Sequence, residues 1–157
     1  TSTESTVDDD GYTTTTLSSN ILSLKWRVVD DTYLEGALIG DPGSDGWIAV
    51  GFGQSSMHSS QILVAQNGTD INSVLDATGY NYGLSNNSTT IINSSEISIS
   101  GTEITASFNI GIDDANISLT ESTSVIWAYK AVSQAAQSNL DNIGKHNSRG
   151  SVTINFQ

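Results

Sequence analysis

Three side chains in this sequence stand apart by type: Met57, the only methionine, and His58 and His146, the only histidines. Thioether sulfur and imidazole nitrogen are both ligands for soft or borderline metal ions. Met57 and His58 sit in a small polar segment, Gln54-Ser55-Ser56-Met57-His58-Ser59-Ser60, directly after an apolar run. A lone methionine is more often core filler than ligand, but a methionine among serines at a strand end is less easily explained that way. His146 stands in Gly144-Lys145-His146-Asn147-Ser148-Arg149-Gly150, and a histidine in such a setting, taken alone, is usually an ordinary surface residue. Two histidines are too few for most zinc or copper sites. The chain has no cysteine, which excludes disulfides, thiolate zinc, iron–sulfur clusters and any group attached through a thioether link.

Other chemistries leave no trace. There is no phosphate-binding glycine loop, no G-x-S-x-G elbow and no H-E-x-x-H helix motif. Paired carboxylates occur at Asp8-Asp9-Asp10, Asp30-Asp31 and Asp113-Asp114, all in turn-like polar settings where a solvated surface explains them. Calcium at the Asp41–Asp45 loop is a minor reading. Five basic residues against 17 acidic give a net charge of -12. Such a surface repels nucleic-acid phosphates and anionic lipid heads, so neither partner is expected. Solubility is the plain reading of the acidity, with docking to a basic redox partner as the functional one.

The elements that must position these residues read as strands. Ile21, Leu22, Leu24, Trp26 and Val28 alternate with period two, and Tyr33 to Gly40 is a second strand. Asp41-Pro42-Gly43-Ser44-Asp45-Gly46 has turn chemistry. Trp47-Ile48-Ala49-Val50-Gly51-Phe52-Gly53 is a nearly continuous apolar run, as expected of a strand buried on both faces. Ile62 to Ala65 is a short buried strand, Glu96 to Ile110 a hairpin about Gly101, Ser124 to Tyr129 another strand, and Ser151 to Phe156 the last. Only 131–143, with Ala135-Ala136, has helical potential. Strands at near-regular spacing without helical alternation imply an all-β antiparallel sandwich. At 157 residues this is one domain, with residues 1–16 as a polar tail or edge strand and 17–157 as the sandwich.

Three ordered motifs then carry a resemblance. Gly46-Trp47-Ile48-Ala49-Val50-Gly51-Phe52 leads to Met57, Ile126-Trp127-Ala128 ends a later strand, and His146 precedes Arg149-Gly150 and the closing strand. Together they resemble the DOMON family, the immunoglobulin-like β-sandwich of the cytochrome part of cellobiose dehydrogenase and of cytochrome b561-linked proteins. The likeness runs over about residues 17–157. Departures are Ser59-Ser60-Gln61 where the family often has Gly-Ser-Asp, Ile110 where an arginine is common, and the missing cysteines.

The resemblance implies one haem b per chain, with Met57 and His146 as axial ligands and electron transfer, not catalysis, as the function. Physical chemistry agrees: a Met/His pair fills both axial positions and raises the potential. His58 is the rival ligand, but as the neighbour of Met57 it points the other way in an extended stretch. Trp47, Phe52, Ile62 and Leu63 are expected to wall the ring, with Tyr80 or Tyr82 at its edge. A redox partner protein or domain is implied. Five sequons, at Asn67, Asn86, Asn87, Asn93 and Asn116, mark candidate N-glycans and a secreted, extracellular location. The first residue, Thr1, suits a mature or excised fragment, and no apolar run approaches the roughly 18 residues of a membrane helix. Two other readings stay open: a carbohydrate-binding sandwich in which Met57 merely packs, and an assembly module that adds its N-terminal segment to a neighbour's sheet edge.

Overall fold

The structure is a computed structural model that describes residues 5–18, 21–43, 46–53, 61–66, 73–80, 83–86, 92–130 and 148–156, with the backbone alone at 66, 73–80 and 83–86. Among the described residues there are strands and turns but no helix: β1 (Ser5–Val7), β2 (Thr13–Ser18), β3 (Leu22–Val29), β4 (Tyr33–Gly40), β5 (Trp47–Phe52), β6 (Gln61–Gln66), β7 (Ser73–Tyr80), β8 (Gly83–Asn86), β9 (Ile92–Ser100), β10 (Glu103–Gly111), β11 (Thr123–Lys130) and β12 (Ser148–Ile154). They form two antiparallel six-stranded sheets. Sheet A has the order β1-β2-β3-β4-β10-β9 and sheet B the order β12-β11-β5-β6-β7-β8. The sandwich expected from the strand spacing is the observed fold.

Alternation decides which residues meet between the sheets. In β3, Leu22, Leu24 and Trp26 are buried while Lys25 and Arg27 face away, and in β10 Ile104, Ala106, Phe108 and Ile110 are buried. Sheet B answers with Ile48, Val50, Phe52, Leu63 and Val125. Phe156, just past the last strand, lies edge-on to Trp26 of sheet A at 4.8 Å and to Phe52 of sheet B at 6.4 Å, so one ring keys both layers. Ile110, one of the departures noted from the sequence, is fully buried in this core.

Two tight hairpins set the register of sheet A. The β3–β4 turn places Asp30 and Asp31 at φ 54° and 55°, the signature of a type I′ turn, with the Thr32 N–H donating to Val29. The β9–β10 turn begins at Gly101, φ 64°, as the hairpin reading anticipated. Asp41 ties this tip to the loop that crosses between the sheets, accepting from Thr102 Oγ1 at 2.6 Å and from the Gly43 N–H at 3.1 Å. Asp45, the other end of the calcium reading, lies outside the described residues.

Several elements differ from the sequence reading. The boundary after residue 16 falls inside β2, where Thr15 and Leu17 are both buried. Thr15 earns its buried place through hydrogen bonds: it accepts from the Trp26 indole at 3.2 Å and shares one with Ser5. β9 starts at Ile92, and β12 runs from Ser148 to Ile154, leaving Phe156 as a plug and not a strand residue. The helical potential of 131–143 lies outside the described residues.

Candidate functional site

Trp47 and Phe52, both expected to line one pocket, lie on opposite faces of β5. Side chains along a strand alternate, so Ile48, Val50 and Phe52 enter the core between the sheets while Trp47, Ala49 and Gly51 face outward. Pairing with β6 and β11 extends the outward set: Ile62, Gly51 and Ile126 form one row across sheet B, and Val64, Ala49 and Ala128 the next. Trp47 heads a third row between Gln66 and Lys130. Trp47, Ala49, Ile62, Val64, Ile126 and Ala128 make a second apolar cluster, drawn among the described residues from β5, β6 and β11.

An outward face of an antiparallel sandwich is ordinarily solvated and polar. Here Val64 is 0% exposed, Ile62 4%, Ala49 6% and Trp47 7%. The middle of sheet B is therefore buried on both sides. Its outward surface is also shallow, because Gly51, Ala49 and Ala128 supply little bulk. A Cβ added at Gly51 would come within 2.7 Å of Ile126 Cγ1 and 3.1 Å of Ile62 Cγ1, so the two isoleucines close over the glycine and keep the row level. Toward the sheet edge the character changes: on β12, Arg149 and Ser151 are exposed, opposite Ala128 and Ile126.

The segments carrying the candidate ligands leave sheet B at opposite ends. β5 is followed by Gly53, φ 94°, whose N–H donates to the Ser124 carbonyl at 3.0 Å, and a side chain there would press on Asn116. That turn sends the chain into 54–60. β12 begins with Ser148 opposite Tyr129, at the Trp47 end of the sheet. Met57, His58, His146 and Tyr82 lie outside the described residues. Tyr80 is the last residue of β7 and pairs with Gly83. Of the expected wall, the fold brings Trp47 and Ile62 together and turns Phe52 and Leu63 into the core between the sheets. Ala49, Gly51, Val64, Ile126 and Ala128 join the face without having been named as wall residues from sequence. Their parity with Trp47 and Ile62 along each strand was the available signal.

The outward face of sheet A is built differently. Arg27 Nε donates to Glu35 Oε1 at 2.6 Å, and the Tyr12 hydroxyl donates to the same oxygen at 3.2 Å. Lys25 Nζ reaches Asp10 at 2.8 Å. The hydrogen bond from Arg27 holds the Glu35 carboxyl below its usual range, and the one from Lys25 does the same for Asp10. Burial, reinforced by Glu35, pushes the Tyr12 hydroxyl up. Beside this network runs an open groove of about 560 Å³ floored by Ala37, Ser107 and Thr105. Sugar-binding grooves rely on a free aromatic face, but the Tyr12 ring is flanked by Lys25 at 5.0 Å and Arg27 at 4.6 Å. It is a clamp, not a platform.

Comparison with known proteins places the fold. No family model matches the chain, and no curated protein matches it by sequence. Among solved structures it is similar to the cytochrome domain of Myriococcum thermophilum cellobiose dehydrogenase, with a TM-score of 0.63 and 14% identity over 96% of this chain and 86% of that one. It is also similar to the cytochrome b domain of pyranose dehydrogenase from Coprinopsis cinerea, with a TM-score of 0.69 and 14% identity over 98% and 87%. The DOMON resemblance read from the motifs is thus matched by the fold of DOMON-type cytochrome domains.

Proposed function

We propose that this chain is an electron-transfer domain that carries one haem b against the outward face of sheet B, held by Met57 and His146. The observation that supports it is the apolar, level and buried patch of Trp47, Ala49, Gly51, Ile62, Val64, Ile126 and Ala128 on a face that a plain sandwich would leave polar. The two solved structures compared above are cytochrome domains of dehydrogenases. Chain length permits the ligand pair. β5 is 6 residues long, about 17 Å, and the stretch from Phe52 to Met57 can reach about as far. Ser148, two positions after His146 in the sequence, stands at the other end of the same face.

Bound there, the haem supplies a one-electron iron couple, attached without covalent links because the chain has no cysteine. The chain's own residues do the rest. Met57 and His146 would hold the iron, and with both ligands from the protein the chemistry supplied would be electron transfer and not oxygen binding. Trp47, Ile62 and Val64 would keep water from the haem where it meets the sheet, and Phe52 supports β5 from behind. Tyr80 and Tyr82 are candidates for the ring's edge. The domain works as a carrier for a redox partner protein or domain, in an extracellular setting where its sequons can take glycans. β1 is an edge strand with Val7 76% exposed, and any self-assembly would run through it.

The test is an absorption spectrum of the purified protein with added hemin, oxidised and then reduced by dithionite. The expected result is a sharp Soret band, with resolved α and β bands on reduction. Met57→Ala is expected to change the spin state and lower the potential, and His146→Ala to lose the haem. A protein that stays colourless with hemin present sinks the proposal, and unchanged spectra in both variants sink the ligand assignment.

A further inference from the structure

We infer that Arg149, on the outward face of β12, receives the carboxylate edge of the planar cofactor on sheet B and so fixes which way round it lies. This rests on the haem reading above. The chain has only five Lys and Arg residues against 17 acids, so where the cations stand is informative. Lys25 and Arg27 are committed to Asp10 and Glu35 on sheet A. The register puts the other two described cations, Lys130 and Arg149, on the outward face of sheet B, in line with Trp47 and Ala128 respectively.

β12 alternates sharply. Gly150, Val152 and Ile154 turn toward the other sheet, whereas Arg149, Ser151 and Thr153 face outward and are exposed. The strand has little freedom to slip. A Cβ at Gly150 would collide with the Trp127 indole, so β12 lies close on β11 with the glycine beneath that ring. A one-residue shift would put a side chain there and turn Arg149 inward. The tight Trp127–Gly150 contact therefore locks Arg149 to the outward rim beside Ala128.

Across sheet B the outward face thus grades from Val64 and Ile62 through Ala49 and Gly51 to Arg149 and Ser151. Haem b has the same grading: an apolar ring body with two carboxylates on one edge. A guanidinium matches a carboxylate by a two-point charged hydrogen bond, and Ser151 offers a hydroxyl beside it. On a chain of net charge -12, the carboxylate edge is repelled from most of the surface, which sharpens the preference for this rim.

The test compares binding of hemin with binding of hemin dimethyl ester, whose carboxylates are blocked, to the full chain stripped of cofactor, in one dilute detergent. Wild type is expected to prefer hemin by about tenfold, as for a partly solvated charged hydrogen bond. Arg149→Gln should bring the two ligands to nearly equal affinity, Arg149→Lys should retain part of the preference, and Lys25→Gln, on the other sheet, should leave it intact. An Arg149→Gln protein that keeps the wild-type preference, or a wild type that binds both compounds equally, overturns the inference while the haem reading stands. A wild type that takes up neither compound overturns both. Arg149 is exposed on an edge strand, so loss of fold is not expected in its variants, and equal thermal melts of the stripped proteins check this.

Discussion

Sheet A turns Lys25, Arg27, Glu35, Ser107 and Asn109 outward, whereas sheet B turns out Trp47, Ala49, Ile62, Val64, Ile126 and Ala128. Both sheets have six strands and the same antiparallel pairing, and both contribute a full inner face to one shared core. Sheet A therefore shows what this architecture needs for stability alone: one apolar face and one solvated face. The second apolar face of sheet B is surplus to that need. Surplus apolar surface on a small acidic domain is a recognition surface or it is a hazard, and here its central residues are kept from water.

The contrast is sharpest for a charge placed on each face. Val64→Lys should cost about 3 kcal/mol or more, because the ammonium has nowhere to reach water. Ser107→Lys, at an exposed position opposite Glu96, should stay within about 0.5 kcal/mol of wild type. Urea unfolding curves measure both, and equal losses would erase the distinction between the faces. A smaller effect comes from bulk. Gly51→Val should destabilise by about 1–3 kcal/mol through overpacking against Ile126 and Ile62, and should weaken hemin uptake in parallel. Thr105→Val, beside the open groove of sheet A, should be close to neutral.

Smallest is the effect of pH, which among the described residues should act through sheet A. Glu35 is held below its ordinary value of 4.5, so its contribution is complete above that pH and is lost as pH falls through the lower folded value. Tyr12 is raised above 10.0, so its contribution is complete below that pH and fades as the phenol ionises at higher pH. Both contributions come from partly solvated groups and should stay below about 1 kcal/mol. Glu35→Gln should flatten the acid limb of a plot of urea midpoint against pH. An unchanged acid limb would mean that other carboxylates set it.

Much of this was legible in the chain. The strands at 22–29 and 33–40 follow from alternation, and the run 47–53 announced a strand with no polar face. What the run could not show by composition is which residues share a side. Parity shows it: Trp47 and Phe52 are separated by an odd number of positions, as are Ile62 and Leu63, so each pair had to split between the faces. β1 and β2 were obscured by the run Thr13-Thr14-Thr15-Thr16, since a threonine enters a core only where a partner such as the Trp26 indole meets its hydroxyl. Such a partner is a tertiary fact. The candidate ligands were visible only as rare residue types, and the face they would serve became visible only through strand register.

The order of strands also bears on how the chain reaches this fold. Hairpins alone assemble β1 to β4 and β5 to β8, but sheet A is completed when β4 finds β10 and sheet B when β5 finds β11, partners distant in sequence. Closing such long loops is slow compared with hairpin formation. The central strand of the apolar face, β5, thus waits half-paired for the second half of the chain. Until β11 arrives, Trp47, Ala49 and Gly51 lie along an open sheet edge, so the surface suited to a ligand is also the one most in need of protection during folding.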